Sequence, residues 1–226
     1  MQAMAPLDAV YRLVKEFNNT GRPHGGRTGG TVTHFHEALA QLATERDSVK
    51  KRARFVALVT REMMKAGAGE PIIVGGEALE IYTQGSYTSG DIDLKASFLL
   101  CKILTNAGFY DRGSGNFYHP GLDIYVDWLG PNFDPGQEEV RERALTIRLG
   151  EDEHVRVISI EDLIVDRLNA AKHAQDSDSR MWAETLVDVA RKAGIELDEA
   201  YLDRIARFED VQDELALILP HKRDVP

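Results

Sequence analysis

Two aspartates separated by one isoleucine, Asp91 and Asp93 in "GDIDLKAS", carry the clearest capacity for chemistry in this chain. Read as a strand, the stretch points both carboxylates to one face, with Cα atoms about 6.7 Å apart. Two such charges about 5 Å apart repel by about 3 kcal/mol at an effective dielectric near ~20. Ile92 and Leu94 face the other way, into a core, which pins the aspartates outward and together. A divalent cation is the simplest compensation. Carboxylate oxygens suit magnesium, which takes one or two carboxylates and fills its shell with phosphate oxygens. A third acid lies downstream. In "FYHPGLDIYVDWLG", Leu122, Ile124 and Val126 alternate with Asp123, Tyr125 and Asp127, as in a half-buried strand. That alternation puts Asp123 and Asp127 on one face, and either can complete the set. A calcium loop fails on spacing, because Lys102 stands where such a loop needs its closing glutamate.

The elements that must position these acids follow from periodicity. Residues 35 to 66 carry Leu39, Leu42, Val49, Val56, Val59 and Met63 at helical spacing, as one long helix or two. Gly67 and Gly69 end that segment, and "IIVGG" reads as a short buried strand. "EALEIYTQ" reads as a short helix, "DIDLKAS" as a strand, "FLLCKILTNAGF" as a helix and "HVRVISI" as another strand. Ser159 with Asp162 forms a capping-box pattern, opening a helix whose buried face is Ile160, Leu163, Ile164, Leu168 and Ala171. "DSDSRMWAETLVDVARKAG", "DEAYLDRIARF" and "EDVQDELALIL" extend the helical tail. The fold class expected is α+β, a small mixed sheet with flanking helices and a C-terminal helical region. The divisions are 1–34, a short helix and the glycine-rich linker "NNTGRPHGGRTGGTVT"; 35–158, the α/β core; and 159–226, the helical region.

With 226 residues, 43% of them hydrophobic, the chain can bury a core. A formal net charge of −10 argues against a surface that tracks nucleic acid throughout. Lys50, Lys51, Arg52 and Arg54 form a short basic run that reads first as a solvated helix face. Cys101 is the only cysteine, so no internal disulfide forms, and "SFLLCKIL" suits a small buried residue. No apolar stretch is long enough to span a membrane, and the start lacks a secretory layout, so no membrane partner and a cytoplasmic location are expected.

Gly75-Gly76, then "YTQGSYTSGDIDL", then a strand bearing another acid, resemble the nucleotidyltransferase fold of DNA polymerase β type over residues 71 to 130. More narrowly, they resemble its small prokaryotic members, which include minimal nucleotidyltransferases and toxins of abortive-infection and toxin–antitoxin systems. "VISIEDLIVDRLNAAKHAQDSDSRMWAETL" is similar to the helical segment that follows in many of them. The resemblance implies a nucleotidyltransferase core and makes Asp91 and Asp93 the paired metal ligands. Asp127 becomes the third, because "YVDWLGP" resembles the family's acid-bearing strand, with Asp123 as the alternative. It further implies two Mg²⁺ ions and a nucleoside triphosphate, ATP among them. Gly75 and Gly76 would offer backbone N–H groups to that triphosphate, and Ser89 a hydroxyl. Arg167 and Lys172 would steady the leaving pyrophosphate. The acceptor would be a hydroxyl or amine on RNA, protein or a small molecule, and a toxin would have an antitoxin partner. Two departures stand out: many members have Gly-Ser where this chain has Gly75-Gly76, and an arginine where it has Tyr87. The competing reading keeps the fold and uses it only as a binding or regulatory module.

Overall fold

The computed structural model describes residues 31–134, 136–150, 153–174 and 176–219, without the side chains of 31–34 and 177. Most of the N-terminal segment read as helix and linker therefore lies outside the described residues, while residues 31–34 already belong to a helix. Helix α1 (Thr31–Leu42) and helix α2 (Ser48–Lys65) are separate, because Asp47 caps the second by accepting from the Lys50 N–H. Next come β1 (Ile72–Ile73), α3 (Gly75–Tyr82), β2 (Ile92–Lys95) and α4 (Leu99–Asn106). Three strands follow, β3 (Tyr110–Asp111), β4 (Asn116–His119) and β5 (Ile124–Trp128), then α5 (Glu138–Arg143), β6 (Leu145–Arg148) and β7 (His154–Val157). The tail holds α6 (Ile160–His173), α7 (Ser177–Ala193), α8 (Glu199–Phe208) and α9 (Gln212–Ile218).

Among the described residues the strands form one seven-stranded mixed sheet, in the order β3-β4-β5-β2-β1-β7-β6. Strand β2 runs parallel to β5 and β1 parallel to β7, while the other neighbours are antiparallel. Ile92, Leu94, Phe117, Ile124 and Val126 are buried on one face. Helix α2 supplies Val56, Val59 and Met63, all fully buried, and its Phe55 ring meets Phe109 at 5.2 Å. This is a mixed α/β architecture, in line with the α+β expectation.

Three features differ from the sequence reading. The glycine pair does not end a strand but opens α3, immediately after the two-residue β1. The stretch "FYHPGLDIYVDWLG" is a hairpin rather than one alternating strand, with β4 turning through residues 120–123 into β5. Asp123 lies in that turn at φ 52°, so it shares no strand face with Asp127. Strands β3 and β6 and helix α5 carry no clear periodicity; β3 has only two residues, and Leu145 on β6 is exposed where alternation would bury it.

The tail is built onto the sheet. The Ser159 hydroxyl oxygen accepts from the Asp162 N–H at 3.1 Å and starts α6, whose Leu163, Ile164 and Leu168 are buried. Tyr82 on α3 donates to the Ile158 carbonyl at 2.8 Å, and Tyr201 on α8 donates to Asp162. Sheet and tail share a continuous hydrophobic core across the 158/159 division. Cys101 is half-buried on α4 rather than fully buried. Among the described residues no helix is long and apolar enough to cross a membrane.

Candidate functional site

The acids converge through register. On the adjacent parallel strands β2 and β5, Asp93 pairs with Asp127, between Ile92–Val126 and Leu94–Trp128. Paired residues on neighbouring strands point to the same face, about 4.8 Å apart at Cα. Asp91 stands just before β2, on the same face as Asp93 by alternation. All three are half-buried. Asp123 is left out. It is exposed in the hairpin turn, and its charge acts on the Tyr118 hydroxyl instead.

The glycine pair arrives by the antiparallel pairing of β1 with β2. Ile73 opposes Leu94, the Val74 N–H donates to the Asp93 carbonyl at 3.0 Å, and the chain then turns into α3. The Gly76 N–H donates to Asp93 Oδ2 at 3.1 Å. Gly75 has φ +56°, and a Cβ there would fall inside the Asp93 carboxylate. A Cβ on Gly76 would lie 2.8 Å from Ser89 Oγ. Gly75 is therefore required by its positive φ and its close approach to Asp93, while Gly76 packs closely against Ser89 and Tyr87.

The electrostatics are those of crowded carboxylates. Burial pushes Asp93 up to about 6; the Gly76 N–H opposes this, and the charges of Asp91, Asp127 and Asp166 add to it. Burial and then Asp91 raise Asp127 as well. Arg167 on α6 is held charged: burial works against its charge, but Asp166 outweighs that, and Tyr87 and Asp93 contribute. Its Nε and Nη2 donate to Asp166 Oδ2 at 2.9 and 2.6 Å. Arg167 thus belongs to the site's surroundings, as does Asp166, whose charge also reaches Asp93. The Tyr87 ring packs edge-on against Trp182 at 5.1 Å and lies near Gly76.

Two residues fall away from the expected phosphate site. Ser89 is buried, its N–H donating to Glu80 Oε2 at 2.6 Å and its hydroxyl to the Asp91 carbonyl at 2.8 Å. Both donors are spent inside the turn, so Ser89 shapes the approach to Asp91 instead of gripping phosphate. Lys172 reaches the other way, donating to the Asp210 carbonyl and pairing with Asp210 and Glu214 at 3.2 and 3.6 Å. Five residues beyond Arg167 on a helix, it points about 140° away from it. The basic run is also committed: Arg54 pairs with Glu45 at 3.5 Å and Lys51 donates to the Leu122 carbonyl at 3.4 Å.

Arg52 is the residue sequence reasoning missed most. Its Nε lies 2.6 Å from Glu77 Oε2 and its Nη2 2.6 Å from Glu80 Oε2, with both glutamates fully or nearly buried. Glu80 then accepts from Ser89, so a buried chain of polar contacts runs from α2 through α3 to the turn before Asp91. Burial pushes Glu77 up to about 7 despite Arg52. Glu77 Oε1 has no hydrogen-bond partner among the described residues, in keeping with a carboxyl that readily holds its proton.

No family model matches the sequence, and no curated protein matches it. Among the described residues no three His, Cys, Asp or Glu side chains close into a metal cage, Asp93 being turned onto the Gly76 N–H. The donor set nevertheless fits magnesium in kind: the three acids on this face offer only carboxylate oxygens, and their mutual repulsion favours a cation.

Proposed function

We propose that this chain is a magnesium-dependent nucleotidyltransferase with the polymerase β type of core. It moves a nucleoside monophosphate from a triphosphate to a hydroxyl or amine acceptor. The observation that carries the reading is the Asp93–Asp127 register on adjacent parallel strands, with Asp91 on the same face and a glycine N–H on Asp93. Asp91, Asp93 and Asp127 would hold the metal, which when bound supplies positive charge to the phosphates and acidifies the attacking hydroxyl.

The chain's own groups have separable tasks. The Arg167 guanidinium presents positive charge on the α3–α6 side of Asp93, the side fitted to the triphosphate, while the Gly76 N–H, spent on Asp93 Oδ2, orients that carboxylate. Asp127, raised by burial and by Asp91, is placed to take the proton of the acceptor on the β5 side. The acceptor oxygen or nitrogen then bonds to the α-phosphorus, the bond from that phosphorus to the bridging oxygen breaks, and pyrophosphate leaves with the electron pair. The Arg52–Glu80–Ser89 chain holds the turn that aims Asp91.

The test uses each of the four labelled nucleoside triphosphates with Mg²⁺ and a cell extract as acceptor source. Wild type should transfer label, Asp93→Ala and Asp127→Ala should each lose at least about 100-fold, and Asp123→Asn should behave as wild type. Label transfer that survives Asp93→Ala would falsify the assignment.

A further inference from the structure

The face that carries the acids continues into a row of three tyrosines, the outer two exposed and the middle one half-buried. Tyr110 on β3 pairs with Tyr118 on β4, and Tyr118 pairs with Tyr125 on β5. Tyr125 and Asp127 are two apart on one strand, so the tyrosines share the acids' face, while their neighbours Phe117 and Val126 are buried on the other. Extending the β2–β5 register by one residue sets Tyr125 level with Asp91. Tyr110 and Tyr125, which flank Tyr118, are 66% and 36% exposed. Tyr118 and Tyr125 are stacked at 4.3 Å and 26°, and the Arg112 guanidinium lies over Tyr125 at 5.9 Å.

We propose that this row is the acceptor platform, on which unpaired bases of a single-stranded RNA end stack so that its terminal hydroxyl reaches Asp127. This deepens the nucleotidyltransferase reading and rests on it. Three observations select the occupant. In-line transfer needs the acceptor opposite the leaving pyrophosphate, and the tyrosines lie across Asp93 from Gly76 and Arg167. Flat aromatic faces with an adjacent guanidinium suit nucleobases, which stack without regard to sequence, while the arginine meets the backbone phosphate. The net charge of −10 and the committed basic run leave no broad cationic surface for a duplex among the described residues, so affinity for this face must come from stacking.

The experiment titrates a fluorescein-labelled 12-nucleotide RNA of mixed sequence into the full chain, metal-free and without triphosphate, beside the same RNA annealed as a blunt duplex. Wild type should bind the single strand at least ten-fold more tightly than the duplex. Tyr118→Ala and Tyr125→Ala should each weaken single-strand binding by about ten-fold, whereas Tyr125→Phe should keep it. Arg112→Gln should flatten the salt dependence. Equal affinity of wild type and both alanine variants, a preference for the duplex, or no binding at about 0.1 mM RNA, the weak end of non-specific nucleic-acid affinity, overturns the platform. If label transfer to another acceptor persists in those cases, the enzyme reading survives alone. Loss of all transfer in wild type would instead fall on that reading, and single-strand binding would still stand by itself.

Discussion

At the scale of single residues, Asp93 has the most to lose and to gain. It sits against two glycines, accepts one N–H and faces the charges of Asp91, Asp127 and Asp166. Its carboxyl takes up a proton more readily in the folded state, at about 6, than its ordinary value of 3.8 allows. Stability from this group is therefore fully present below the unfolded value and is lost as pH rises through about 6. Asp93→Asn, whose amide oxygen can still accept from Gly76, should raise metal-free stability at pH 7.5 by about 1–2 kcal/mol, after allowing for solvent at a half-buried group. At pH 4 the two proteins should unfold together, and saturating Mg²⁺ should stabilise wild type only. Urea titrations at the two pH values read this directly, and a variant less stable than wild type at pH 7.5 refutes the strained site. The pair was legible in the sequence because Ile92 and Leu94 fix its direction. Asp123 was misplaced because alternation was followed through Pro120-Gly121, a turn signal in plain view.

At the scale of elements, α2 and α3 are locked by charge as well as by packing. Arg52 is one cation shared by Glu77 and Glu80, buried where water cannot screen it. Removing it leaves the buried Glu80 carboxylate uncompensated and forces Glu77 to take up a proton, so Arg52→Met should cost about 3–5 kcal/mol at pH 7.5. The loss should shrink as pH falls through about 7, because Glu77 then enters the folded state protonated. Adding Glu77→Gln and Glu80→Gln to Arg52→Met should recover part of it at neutral pH. A chemical-denaturation midpoint for Arg52→Met equal to that of wild type both above and below about pH 7 would show the cluster to be inert. Nothing in the sequence announces this contact, since the partners are 25 and 28 residues apart and a basic run on a helix usually faces solvent. By contrast, the start of α6 was legible, because Ser159 and Asp162 are a local pair whose bond forms within one turn.

At the scale of the whole molecule, the division at residue 158 marks a change of secondary structure but not of core. Strand order could not be read from the chain: β1 has two residues, and its place between β2 and β7 depends on parallel pairing across more than eighty positions. What the sequence did carry was class, since short apolar runs followed by amphipathic helices imply a sheet with a helical flank. That flank is tied to the sheet side by Gln137, which donates to Glu209 at 2.6 Å, by Arg143, which pairs with Asp198 at 3.2 Å, and by Arg204, which pairs with Glu139 at 2.8 Å. Sheet and tail should then unfold as one cooperative unit. The chain's two tryptophans make this measurable, because Trp128 sits on β5, donating to the Ala96 carbonyl at 2.7 Å, and Trp182 sits on α7 against Tyr87. Trp182→Phe leaves a probe of the sheet, and Trp128→Phe leaves a probe of the tail. Each single-tryptophan protein is followed in urea by fluorescence and, in the same tube, by helical circular dichroism. Within each protein the two signals should share one midpoint and one slope, which removes any shift caused by the substitution itself. A fluorescence transition from Trp182 that precedes the loss of the remaining ellipticity would mean that the tail melts from the sheet, and with it the Arg167 side of the site would open before the acids part.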